Sequence, residues 1–157
     1  MTRTALIDPT GAYRYTLTRE WDPWLPVACW IMLNPSTADA TKDDPTIRRC
    51  IAFSKRWGYG SIEVVNIFAY RATAPADLWP LSDPIGQEND THIDAAVQRA
   101  AIVIAAWGVH GAYRGRGAEV ARRFDGLKYL GATKDGHPRH PLYVRGDTLP
   151  VDFGGTR

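Results

Sequence analysis

Three runs of strand length, Val27–Leu33, Glu63–Phe68 and Ala101–Trp107, alternate with segments of helical periodicity, and this alternation restricts the chain more than any other feature. Val27–Leu33 is apolar throughout, as a strand covered on both faces should be. Strands that alternate with helices wind into a mainly parallel sheet with helices on either side. Leu127–Leu130 supplies a fourth strand. Tyr13–Arg19 alternates aromatic or apolar with polar residues and reads as an antiparallel edge strand. The expected fold is therefore α/β: three layers, α/β/α, around a short, mainly parallel, four-stranded central sheet with an N-terminal edge strand.

Local signals place the helices. Asp44-Pro45 offers an N-cap followed by proline at the first helical position, and Ile47, Ile51 and Phe53 begin an apolar stripe that ends near Gly58. A second helix is expected over Asp90–Arg99 and a short third over Ala118–Phe124, with the remainder after the last strand as loop. No repeat, low-complexity tract or linker divides the 157 residues, which read as one domain over 1–157.

Composition works mainly by exclusion. Hydrophobic residues at 45% and charged residues at 23% are ordinary globular values, which argues against disorder and against a coiled coil. The longest apolar stretch, Ala100–Trp107, is too short to span a bilayer, so no membrane partner is expected. The N-terminus carries no pattern that marks secretion, and a cytoplasmic location is expected by default. Cys29 and Cys50 lack metal or redox spacing and read as reduced core thiols. Asp39, Asp43 and Asp44 have no histidine at ligand spacing, so neither a metal nor a cofactor is expected. Nothing suggests an obligate protein partner. The net charge is only +2, but Gly111–Arg145 holds eight Arg or Lys against three acids, an excess that suits a phosphate backbone or, more plainly, a solvated face.

Ligands of such sheets bind beyond the carboxyl ends of the strands. The residues to interrogate are Asn34, Asn66, Gly108 and the loop after Leu130. Taken singly, each has a plain reading: Asn34-Pro35-Ser36-Thr37 as a turn, Asn66 as a strand cap, and His140 before proline as an extended loop residue. Trp107 reads as core, and His92 and His110 have no assignment.

Taken in order, the segments resemble the uracil-DNA glycosylase superfamily. Met32-Leu33-Asn34-Pro35-Ser36-Thr37 resembles its first motif, Gly-Gln-Asp-Pro-Tyr-His or, in the mismatch-specific branch, Gly-Ile-Asn-Pro-Gly, with Met32 in place of the glycine. Val64-Val65-Asn66-Ile67-Phe68 resembles the strand whose terminal Asn reads the flipped base, and Ile102–Gly108 the apolar strand that ends in Trp-Gly. His137-Pro138-Arg139-His140-Pro141-Leu142 resembles the last motif, His-Pro-Ser-Pro-Leu-Ser, with one extra residue. The phrase Leu33–Asp39 is also similar to an uncharacterised bacterial and phage family, which implies no activity.

The resemblance implies a DNA glycosylase that hydrolyses the N-glycosidic bond of a flipped-out modified or mispaired pyrimidine, in repair or anti-phage defence. Asn34 takes the water-orienting place beside Pro35, Asn66 the base-reading one, and His140 that of a neutral imidazole polarising a ring carbonyl, with His137 in reserve. Ser36 stands where uracil-specific members hold a tyrosine that rejects C5 substituents, which implies room for hydroxymethylated or glycosylated bases. For DNA, Arg139 could anchor phosphate and Leu142 or Tyr143 could wedge the vacated stack, while the Gly111-Gly115-Gly117 loop could bring Arg114 and Arg116 to phosphates. Two alternatives remain open: a non-catalytic reader of modified bases, and an enzyme acting on free nucleotides.

Overall fold

The computed structural model describes residues 1–154. Seven strands form one sheet: β1 (Thr2–Ile7), β2 (Arg14–Glu20), β3 (Val27–Met32), β4 (Ser61–Asn66), β5 (Ile102–Ala105), β6 (Lys128–Tyr129) and β7 (Val151–Asp152), in the order β1-β2-β4-β3-β5-β6-β7. The four strands β4, β3, β5 and β6 are mutually parallel, and the outer strands join antiparallel. The parallel block matches the four expected strands, but the sheet has seven strands rather than four. The strand around Tyr13–Arg19 is not an edge: β2 lies between β4 and the unexpected β1. β1 is mostly exposed and β7 has only two residues, so neither carries the apolar run that marks a central strand.

Side-chain alternation along the central strands builds the layers. Ala28, Trp30 and Met32 of β3, with Ile62 and Val64 of β4, face α1 (Pro45–Arg56) through Ile47, Cys50, Ile51 and Phe53. Cys29 and Ile31, with Val65, face the opposite way, against Ile93 and Ala96 of α2 (Asn89–Arg99) and Val120 and Ala121 of α3 (Arg116–Arg123). This is a period of two in strands with both faces dry. Asp44 caps α1 as expected, its carboxylate accepting from the Ile47 amide at 2.9 Å. α3 starts two residues before the expected Ala118, because Gly115 holds a left-handed conformation that turns the chain into the helix.

The crossover through α1 carries the chain from β3 to β4 on one side, and the crossover through α2 brings it past β3 to β5 on the other. That reversal opens a crevice at the carboxyl ends of the parallel strands. Among the described residues, no helix is long and apolar enough to cross a membrane.

Candidate functional site

A cleft of about 780 Å³ opens at this reversal. Its walls come from the turn after β3, the end of β4, the segment after β5, the start of α1 and the loop that precedes Tyr143. Asn34, Ser36, Asn66, Arg139, His140, Leu142 and Tyr143 all line it.

Asn66 ends β4 opposite Met32, on the face that packs against α1. It is 1% exposed, and among the described residues both its Oδ1 and its Nδ2 lack a hydrogen-bond partner. The backbone around it is braced from the other face of the sheet. Asn89 Nδ2 donates to the Asn66 carbonyl at 2.7 Å, and Arg116 Nε donates to the Ile67 carbonyl at 2.9 Å. A carboxamide held rigidly with a donor and an acceptor both unused is a preformed half of a bidentate contact.

Asn34 is committed differently. Its Nδ2 donates to the Ala72 carbonyl at 2.7 Å and the Pro35 carbonyl at 3.0 Å, which uses both protons and leaves Oδ1 as the group it offers to a ligand or water.

His140 caps a single 3-10 turn over Pro141–Tyr143. Its Nδ1 accepts from the Leu142 amide at 3.1 Å. That bond requires an unprotonated Nδ1, so the neutral ring carries its proton on Nε2. Burial lowers the imidazole pKa below 6.5, and the opposing pull of the Asp44 carboxylate is the smaller influence. The site therefore holds a neutral N–H donor at physiological pH.

Arg14 reaches the same cleft from β2. Opposite Leu6 and Ile7 the pairing steps from Thr16 to Arg14, so Tyr15 is an extra residue in a bulge. The bulge reverses the alternation: Tyr15 stacks on His92 of α2, whereas Arg14 turns to the α1 side, where its Nη1 donates to the Ala38 carbonyl at 2.9 Å. Burial lowers the guanidinium pKa to about 10.

The profile of a family described as protein of unknown function (DUF1643) matches residues 14–142. The chain belongs to the DUF1643 family. The matched span of this DUF1643 chain contains Arg14, Asn34, Asn66 and His140, the four groups described above. No curated protein and no solved structure matched it.

The remaining expected site residues of the DUF1643 chain divide. Pro35 is buried behind the cleft, its carbonyl accepting from the Ala72 amide. His137 lies in a tight loop closed by its pairing with Thr133, outside the cleft, so of the two histidines in this segment it is His140 that lines the cleft. Arg139 stays exposed at the rim, with Nε donating to the Ala132 carbonyl.

One residue of the expected phosphate loop, Arg116, is corrected. Arg116 is 1% exposed and ion-paired with Asp90 and Glu119, so no guanidinium face remains for DNA. Arg114 donates to the Leu81 and Ser82 carbonyls, away from the cleft. Gly111 and Gly117 press against the Trp107 indole, where a Cβ on either would fall within 2.1 or 2.6 Å of ring atoms.

In the DUF1643 cleft, sequence reasoning left out Arg14, Asp44 and His110 as lining residues. Arg14 falls on a polar position of an alternating strand, and Asp44 reads as a helix cap. Position just beyond β5 was the available signal for His110, since Gly108 there was already singled out.

Proposed function

We propose that this protein is a DNA glycosylase that hydrolyses the N-glycosidic bond of a flipped-out, modified or mispaired pyrimidine. One observation carries the reading: the Asn66 carboxamide is buried with both polar atoms unpaired in the cleft that Asn34 and His140 also line. A pyrimidine edge presents the complementary donor and acceptor, and satisfying them removes a cost of about 1–3 kcal/mol per orphaned group.

The chemistry follows from what each group offers. As the bond from the sugar to the ring nitrogen breaks, its electron pair moves onto the base, where His140 Nε2–H can donate to a ring carbonyl oxygen. Asn34 Oδ1 accepts a proton of a water in hydrogen bonding, aiming that water's oxygen at the sugar carbon, while the proton released goes to solvent. The ordered resemblance of the strand-end segments to the uracil-DNA glycosylase superfamily supports the same roles. Ser36 is a small wall residue in a cleft whose volume falls within the range of about 300–1,000 Å³ typical of small-molecule sites, which favours a base enlarged at C5. Exposed Leu142 and Tyr143 beside Arg139 favour a polymer over a free nucleotide.

A second reading, a non-catalytic reader of modified bases, is favoured by one feature: Asn34 cannot ionise, and so does not attract a cationic sugar as a carboxylate would. Incubation with oligonucleotides carrying uracil, hydroxymethylcytosine or glucosylated cytosine, followed by alkali, separates the two. The glycosylase yields alkali-labile sites, which Asn34→Ala abolishes while DNA affinity is retained. Tight binding with no breakage in the wild type favours the reader, and salt-independent binding of a mononucleotide alone favours a free-nucleotide enzyme.

A further inference from the structure

Arg14 is a buried cation that the fold leaves incompletely used. It is 2% exposed; among the described residues its Nε has no hydrogen-bond partner, and its Nη1 donates to the neutral Ala38 carbonyl. Among the described residues, no carboxylate lies within ion-pair distance of it, although Arg19, Arg99, Arg116 and Arg123 all have such a partner. The Asp44 carboxylate is the largest favourable electrostatic influence on it, and it does not offset the loss of hydration. Removing a charge from water without pairing it is costly, so an arrangement of this kind is most economical when a ligand supplies the missing acceptor.

The place of Arg14 decides what that ligand edge would be. β2 and β4 are hydrogen-bonded neighbours, and the bulge at Tyr15 turns Arg14 to the sheet face that carries Val64 and Asn66. Asn66 offers a donor and an acceptor to one edge of a planar ring, whereas Arg14 offers only donors and a positive charge. A group facing Arg14 must therefore be an acceptor, and gains most if it is anionic.

We propose that Arg14 is an anion receptor in the wall of the cleft, and that the site prefers a pyrimidine whose carbonyl edge carries negative charge over the same ring when neutral. The inference rests on the pyrimidine reading above. It adds a source of rate: when the sugar–nitrogen bond breaks, both electrons stay with the ring and spread to its carbonyl oxygens, water oxygen bonds the sugar carbon, and its proton leaves to solvent. Arg14 then binds the departing ring more strongly than the intact substrate, which is the condition for acceleration rather than mere affinity.

The test uses free bases and needs no turnover. Binding of uracil and of 5-nitrouracil is measured by calorimetry at a mildly alkaline pH, where the first is neutral, the second is an anion and His140 is uncharged. The wild type is expected to bind the anion about tenfold tighter or better, the scale of a hydrogen bond to a charged group. Arg14→Gln should bring the ratio near one, and Arg14→Lys should restore part of the preference. Should Arg14→Gln not fold, the wild-type ratio and Arg14→Lys decide. Pyrimidine binding without preference for the anion, or a preference that survives in Arg14→Gln, overturns the role of Arg14 and leaves the base pocket standing. If neither base binds the wild type, the pyrimidine reading falls and this inference with it.

Discussion

Asn66 burdens the fold with two polar atoms that are unpaired among the described residues, at a position paired with Met32 of the apolar core. Replacing a buried, unsatisfied amide with an apolar group of similar shape removes its desolvation cost. Asn66→Leu should therefore stabilise the protein by about 1–3 kcal/mol while eliminating pyrimidine binding. Thermal unfolding checks the first part, and a lower midpoint than wild type would show that the amide has partners in solution. His140 gives a pH signature. Because its folded pKa lies below 6.5, its contribution to stability is complete above that value and is lost as pH falls through the folded pKa. Cleavage, if it needs the neutral ring, should hold level down to pH 6.5 and decline below. Stability curves of wild type and His140→Gln should diverge only on that acid side, and parallel curves would show that burial does not perturb the ring. Asn34, Asn66 and His140 were legible in the sequence because each ends or follows a strand or precedes a proline, which are local signals. Arg14 was not, because its direction depends on a bulge set by pairing with β1.

At the scale of elements, the segment from Gly108 to α3 is a glycine-rich loop whose glycines serve packing. Its glycines, with basic residues between them, suited a phosphate cradle by composition. In the fold they let the backbone close on Trp107, a residue that belongs both to the core and to the cleft wall. Gly117→Ala would set a Cβ 2.6 Å from Trp107 Nε1 and 2.9 Å from the Gly111 carbonyl oxygen. Neither can retreat freely, so a destabilisation of about 1–3 kcal/mol is expected, as for an overpacked core. Denaturant midpoints measure it, and a near-neutral result would mean that α3 shifts without penalty. By contrast, α1 matches its expected start because an Asp N-cap and a proline in the first turn are recognised from adjacent residues.

For the whole molecule, the strand-end segments converge on one cleft because the winding direction reverses at β3. Arg139 stands exposed at its rim. If it contacts a phosphate, Arg139→Ala should lower the slope of log affinity against log salt for an oligonucleotide by about one. Equal slopes would remove Arg139 from the DNA-binding surface. The layered α/β arrangement, the four parallel strands and the cap of α1 were determined by the sequence itself, since apolar period, strand-length runs and capping residues act over a few positions. The company each side chain keeps was decided only in three dimensions. Arg116 is held by a carbonyl 49 residues away and is removed from solvent, while Arg14 is turned inward by a bulge. Burial of a charge depends on which distant segments pack around it, and no local pattern encodes that.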